Sequence, residues 1–129
     1  MSLELMYLLW SPILFGLYIG VQSLLYRYDV GISFSSGPRD EEPDLKPLTR
    51  RAEKALRNLI ETYGVFVALA VGIELAGRSD GFTQWGAPIY FWARVVYLPA
   101  YLSGIPYLRS LIWLVIGSGL MLMFFGAVF

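Results

Sequence analysis

Residues 5–26 read LMYLLWSPILFGLYIGVQSLLY, a run of 22 residues without a charged side chain between Glu4 and Arg27. At about 1.5 Å of rise per residue, a helix of this length exceeds the roughly 30 Å hydrocarbon core of a bilayer. Residues 110–129, SLIWLVIGSGLMLMFFGAVF, form a second uncharged run. Both runs are predicted to cross a membrane. A cleaved signal peptide is disfavoured for the first, because an acid precedes it and no small-residue cleavage site follows.

Two further hydrophobic stretches lie between these runs. Residues 58–76 contain Glu61 and Glu74, and residues 82–102 contain Arg94. Their apolar residues run all round the helix instead of leaving a polar face, as a soluble helix would. The sequence therefore predicts an all-α membrane protein with four transmembrane helices in a single domain over residues 1–129.

The polar segment 27–57 is the long connection, and residues 35–44 of it are rich in Pro, Gly and acids, a composition typical of loops. Residues 48–57 lack Gly and Pro and are predicted to be helical, with Thr49 as N-cap. The later connections are predicted to be short turns, at residues 77–81 and 103–107. Short connections favour antiparallel neighbours, and hence an up-and-down four-helix bundle.

Lys and Arg are distributed unequally between the two ends of this bundle. Arg78 stands alone at one end, whereas the end with the long loop carries eight cations: Arg27, Arg39, Lys46, Arg50, Arg51, Lys54, Arg57 and Arg109. The positive-inside rule then predicts a cytoplasmic long loop and two non-cytoplasmic termini. The chain is expected to be an integral, multi-pass membrane protein, in the inner membrane if the source is bacterial.

Composition excludes several classes of function. Hydrophobic residues make up 57% of the 129 residues and charged residues only 16%, which disfavours a soluble globule. Ten Lys and Arg balance ten Asp and Glu, so no basic surplus exists for nucleic acid. The absence of Cys and His removes thiolate nucleophiles and the commonest metal ligands and general bases.

Polar residues recur at helical spacing on two of the predicted spans. Arg57, Asn58 and Glu61 share one region of the second span, and Arg94, Tyr97 and Tyr101 form a stripe on the third. Antiparallel packing brings both groups toward the cytoplasmic side, together with Arg27, Lys54, Arg109 and Ser110.

The excess of arginine in this predicted cluster favours an anionic ligand. Several Arg and one Glu would suit a tripeptide-like molecule with two carboxylates and one amine. The alternative is that the arginines anchor helix ends against lipid phosphates and the tyrosines form an interfacial belt. Spacing alone leaves both interpretations open.

Two sequence elements at these positions are similar to a known family. The segment RAEKALRNLIET at residues 51–62, followed by ARVVY at 93–97, Tyr101 and Arg109-Ser110, resembles the MAPEG family, the membrane-associated proteins in eicosanoid and glutathione metabolism. The acidic residues 40–44 make the loop similar to that of uncharacterised bacterial members. The resemblance implies a homotrimer that binds glutathione in a bent shape between protomers, in the cytoplasmic half.

The resemblance also implies roles for individual residues. Arg57, Asn58 and Glu61 would hold the polar ends of glutathione, Tyr97 and Tyr101 would line the site, and Arg27 would reach in from the first span. Arg109 matches the arginine that stabilises the glutathione thiolate, with Ser110 beside it.

Three further residues complete the comparison with the family. Lys54 is assigned to the binding site, although it stands where family enzymes can have Arg. Arg94 is assigned there too, and Trp113 stands where the family's prostaglandin synthase has a tyrosine.

The hypothesis that follows is a glutathione-dependent transferase or peroxidase acting on hydrophobic small molecules in the bilayer. A non-catalytic lipid-binding or structural membrane protein with the same fold is the alternative. A small multidrug exporter is disfavoured, because residues 5–26 contain no carboxylate for proton coupling.

Overall fold

A computed structural model describes residues 2–31 and 45–129, and the described chain consists of four α-helices without strands. These are α1 (Leu3–Val30), α2 (Pro47–Ala76), α3 (Gly81–Ser103) and α4 (Leu108–Val128). The prediction of an all-helical fold is confirmed. The acidic loop residues 40–44 lie outside the described residues.

Helix α1 lacks one backbone hydrogen bond at Pro12, and a neighbouring side chain compensates for it. Pro12 has no N–H to donate to the carbonyl of Leu8, one turn earlier. The hydroxyl of Ser11 donates to that carbonyl instead, at 2.5 Å, and also shares a hydrogen bond with the Tyr63 hydroxyl of α2. Ser11 therefore both compensates for the missing hydrogen bond in α1 and joins α1 to α2.

The start of α2 differs from the prediction. Thr49 was expected as N-cap, but the helix begins two residues earlier, with Lys46 as N-cap and Pro47 as the first helical residue. Proline suits that position, because the missing N–H would be unpaired there anyway. The Lys46 side chain makes no capping bond, and the Asp29 carboxylate of α1 accepts from the Lys46 backbone N–H at 2.9 Å. Buried Thr49 points toward α1, where its hydroxyl lies 3.5 Å from the Leu25 carbonyl.

Helices α3 and α4 pack through glycines. Gly86 of α3 and Gly119 of α4 lie so close that a Cβ on Gly86 would be 2.5 Å from the Gly119 carbonyl oxygen. Two turns farther along α4, where α3 begins, a Cβ on Gly126 would be 2.6 Å from the Thr83 methyl group. Small residues at a helix interface allow this approach, which is a common way for helices to associate within a bilayer.

The helices follow each other up and down, with α2 and α3 in the middle. Helix α1 packs on α2 and α3, and α4 packs mainly on α3 and also on α2; within the described residues α1 and α4 share no contact. Antiparallel register is clear in α2 and α3, where Asn58 meets Arg94 and Thr62 meets Tyr90.

Three of the described helices, α1, α2 and α4, are long and apolar enough to cross a membrane. Helix α3 is 23 residues long, but it carries Arg94, Pro88 and Pro99, which lower its hydropathy. Its arginine is fully buried by its neighbours, so the charge is hidden within the protein. The predicted spans 5–26, 58–76 and 82–102 lie within α1, α2 and α3, and the span 110–129 extends one residue beyond the end of α4. The extent to which each helix crosses the bilayer stays a prediction.

Candidate functional site

Arg94 organises the polar residues in the middle of the bundle. None of its surface is exposed, and its Nη2 donates to Asn58 Oδ1 at 2.8 Å, to Thr62 Oγ1 at 2.6 Å and to the Asn58 carbonyl at 3.2 Å. Its guanidinium carbon lies 5.0 Å from the centre of the Tyr97 ring, within cation–π range. The hydrogen bonds from Arg94 fix the orientation of the Asn58 amide.

Two atoms of Arg94 lack a protein partner. Nε and Nη1 are buried and make no hydrogen bond within the described chain. Leaving such donors unpaired costs on the order of 1–3 kcal/mol each, and more on a charged group. Native structures tolerate unpaired donors where a water molecule or a ligand reaches them. A water molecule or a polar ligand group is therefore expected beside Arg94.

Tyr97, Tyr101 and Arg109 form a stack toward the end of the bundle where α3 meets α4. The two tyrosine rings meet edge to face with centroids 5.7 Å apart. The Arg109 guanidinium lies 4.8 Å from the Tyr101 ring centre, and its Nη1 donates to the Tyr101 hydroxyl at 3.2 Å. The first turn of α4 thereby holds an exposed arginine in a defined position.

A small cavity opens beside this stack, and we call it the polar cavity. Its volume is about 240 Å³, and the residues that line it are Asn58, Tyr97, Arg109, Ser110 and Trp113. Three helices contribute one amide, two hydroxyls, a guanidinium and an indole. Such a set can hold an anionic or polarisable atom of a ligand next to a positive charge.

A larger cavity of about 520 Å³ adjoins the first, and we call it the basic cavity. It lies between the start of α2 and the turn that joins α3 to α4. Its wall contains Tyr101 and four cations, Arg50, Arg51, Lys54 and Arg109. Arg109 lines both cavities, so the two spaces meet at its side chain.

The structure brings six of the ten predicted site residues to these cavities. Asn58, Tyr97, Arg109 and Ser110 line the polar cavity, and Lys54, Tyr101 and again Arg109 line the basic cavity. Arg94 lines neither and lies behind Asn58, so it acts here through other residues.

Three predicted residues face outward instead. Arg57 and Glu61 are exposed on α2, and Arg27 is exposed near the end of α1. The reason for α2 is helical geometry, because the buried residues Ala55 and Leu59 define the inner face and position 57 points away from both.

Sequence reasoning missed several contributors. Thr62 lies one turn after Asn58 on the same face, a spacing that could have identified it as a second partner of Arg94. Tyr18 of α1 donates to the Arg94 carbonyl at 2.7 Å, and no local pattern points to that contact. Trp113 was noted as a departure from the family but not as part of a site. Within residues 2–31 and 45–129, no group of three acidic or other metal-ligating side chains could hold a metal ion.

Comparison with known proteins gives one match. The sequence model of the MAPEG family matches residues 7–129, nearly the whole chain. No curated protein and no solved structure matches the chain.

Proposed function

The chain belongs to the MAPEG family, and from this premise we propose that it is a glutathione-dependent membrane enzyme, a transferase or peroxidase that acts on lipophilic electrophiles. The observation that carries the proposal is the position of Arg109. Its guanidinium stacks on Tyr101, and its side chain lines a cavity together with Ser110, Asn58 and Tyr97.

Arg109 would act on the sulfur of glutathione. An ordinary thiol has a pKa of about 8.5 and is mostly protonated at neutral pH. A guanidinium beside it stabilises the thiolate and lowers the thiol pKa, by about 1–3 units for a close opposite charge. The Ser110 hydroxyl is available to donate a hydrogen bond to the same sulfur.

The thiolate would then attack the electrophile. In the transferase reaction a carbon–sulfur bond forms and the displaced group leaves with its electron pair. In the peroxidase reaction the sulfur takes the outer oxygen of a hydroperoxide, the O–O bond breaks and an alcohol is released. A second glutathione reduces the resulting sulfenic acid, which yields glutathione disulfide and water.

The remainder of glutathione would extend beyond a single chain. The polar cavity, at about 240 Å³, is below the usual size of a ligand pocket, roughly 300–1,000 Å³. Arg57 and Glu61 are exposed on α2, Arg57 at the predicted entrance to the membrane and Glu61 one turn inside it. A charged group facing lipid costs roughly 2.5–3.5 kcal/mol at the centre of a span and less near its end, where Glu61 stands. Cover by a second protomer and by glutathione removes that cost, which supports a homotrimer with glutathione between neighbouring chains.

Within that arrangement the exposed residues take complementary parts. Arg57 would bind a glutathione carboxylate through its planar fork of donors, and Glu61 would bind the α-amine. Arg27, at the end of α1, would reach the site from a neighbouring protomer. Asn58, held by Arg94, would donate its amide N–H groups to the peptide.

Glutathione binding tests this proposal directly. We expect detergent-purified protein to bind glutathione in titration calorimetry, and Arg57→Ala and Glu61→Gln each to weaken binding about tenfold to a hundredfold. This is the effect of losing a hydrogen bond to a charged group, about 1.5–3 kcal/mol. Arg78→Ala is the matched control, because Arg78 is also an exposed arginine and lies at the opposite end of the bundle. Unchanged affinity in both site variants would refute the assignment, and no binding by the parent protein would favour the non-catalytic alternative.

The predicted orientation places this site on the cytoplasmic side, where glutathione is available. A reporter fused after Phe129 is expected to be active only outside the cytoplasm, because the sequence assigns eight of the ten Lys and Arg to the end with the long loop, which the positive-inside rule puts in the cytoplasm. The control is the same reporter inserted at residue 41, in the long loop, which should report from the cytoplasm. Cytoplasmic activity of the reporter after Phe129, together with non-cytoplasmic activity of the reporter at residue 41, would contradict the predicted orientation and put the site outside the cytoplasm.

A further inference from the structure

The described part of the basic cavity wall carries an unbalanced positive charge. Among residues 2–31 and 45–129, four cations line the cavity, Arg50, Arg51, Lys54 and Arg109, and no carboxylate does. Asp29, near the end of α1, accepts a hydrogen bond from the Lys46 N–H and does not line the cavity. The cations face an open volume of about 520 Å³, so the cavity is suited to a small anion.

Two of these cations are held in place. Arg51 Nη1 lies 3.4 Å from the Leu102 carbonyl, and its guanidinium lies against Gly104. A Cβ at Gly104 would be 2.7 Å from the guanidinium carbon, and the residue has a φ of +71°. Gly104 therefore serves both the turn after α3 and the close seating of Arg51. Arg109 is fixed by Tyr101 as described above, so the cavity is preorganised for its ligand, which lowers the entropy cost of binding.

The rest of the wall indicates an amphiphile. Leu45, Pro47, Ile105 and Pro106 provide apolar surface beside the cations. The cavity lies where α3 ends and α4 begins, and therefore at the expected boundary between hydrocarbon and water. Phosphates of lipid headgroups are concentrated at that depth, and arginines bind them through paired hydrogen bonds.

We propose that the basic cavity is a binding site for the phosphate group of an anionic phospholipid. The cations would hold the phosphate, and the apolar residues would contact the adjoining glycerol and the first part of the acyl chains. This proposal does not require glutathione to bind, although the basic cavity shares Lys54, Tyr101 and Arg109 with the proposed glutathione site.

Native mass spectrometry of the full chain in detergent tests the proposal without glutathione. The protein is titrated with phosphatidylglycerol and, separately, with phosphatidylcholine, and sodium phosphate is then added as a competitor. We expect at least tenfold tighter binding of phosphatidylglycerol than of phosphatidylcholine. Each cation near an anionic surface contributes about fivefold in affinity, so Arg50→Gln should weaken binding about fivefold and the double change Arg50→Gln with Arg51→Gln about twenty-five-fold.

Two variants make the result interpretable. The Arg50 side chain is exposed and makes no hydrogen bond within the described residues, so Arg50→Gln should leave the fold intact. This single variant therefore remains informative even if the double variant, which also loses Arg51, disturbs the turn after α3. Arg78→Gln is the control for general attraction to anionic lipid and should not change binding.

The outcomes separate the sources of the phosphate. Retention of bound phosphatidylglycerol after sodium phosphate is added supports a lipid ligand. Displacement by sodium phosphate supports the phosphate site and assigns it to a soluble phosphate. Equal binding of the two lipids, or an equal loss in Arg50→Gln and Arg78→Gln, would overturn the proposal.

Discussion

Arg109→Ala is expected to bind glutathione nearly as well as the parent protein but to lose about a hundredfold in turnover. The binding contacts of the peptide are assigned to Arg57, Asn58 and Glu61, which this change does not touch. What it removes is the charge beside the sulfur, and loss of one such preorganised electrostatic group typically costs 10²–10³-fold in rate. The measurements are titration calorimetry for affinity and the ultraviolet absorbance of the bound thiolate.

The pH dependence distinguishes this role from simple damage to the site. Without the guanidinium the thiol pKa returns toward its ordinary value of about 8.5, so the rate of the variant should rise with pH where the parent has reached its plateau. The deficit should therefore shrink in alkaline solution. Arg109→Lys is the matched control, because it keeps the charge but not the fork of donors, and should retain an intermediate rate. A deficit that is constant across pH would show that Arg109 does not act through ionisation of the thiol.

Much of the fold was predictable because charges mark the ends of the helices. The uncharged run 5–26 lies within α1, and the run 110–129 begins two residues after α4 does. Gly77 and Gly104, both with positive φ, end α2 and α3 inside the predicted turns. The error at Thr49 has a specific cause: the α2 N-terminus is bound by Asp29 of another helix, and no local motif contains that contact.

The site was predictable in its composition more than in its geometry. Spacing along α3 correctly grouped Arg94, Tyr97 and Tyr101, since residues three and four apart share a face. The same reasoning grouped Arg57 with Asn58, although a step of one residue turns a helix by 100°. That rotation puts Asn58 in the cavity and Arg57 outside the single chain. Which face of α2 is covered depends on tertiary packing, and for Arg57 on the proposed neighbouring protomer.

Replacing Gly119 with Ala is expected to give the largest loss of stability, although alanine is the better helix former. A Cβ at this position would lie 2.8 Å from the Tyr90 backbone nitrogen and 2.9 Å from the Gly86 carbonyl oxygen. Backbone atoms of α3 cannot rotate away as a side chain can, so the helices must separate. Overpacking of this kind costs about 1–3 kcal/mol, which exceeds the roughly 0.5–1 kcal/mol that Gly to Ala gains in a helix. Thermal unfolding in detergent measures the difference.

Gly117→Ala provides the matched control on the same helix. A Cβ there would meet nothing within 4 Å, so the helix-forming gain should appear without a clash, and the two variants should shift the melting temperature in opposite directions. Equal shifts would mean that α3 and α4 do not pack through glycine. Because Arg109 stands on the first turn of α4 and is held by Tyr101 of α3, separation of the two helices should also lengthen that contact. Gly119→Ala should therefore lower turnover as well as stability, whereas Gly117→Ala should lower neither, which would connect the close packing of α3 and α4 with the position of the charge that activates glutathione.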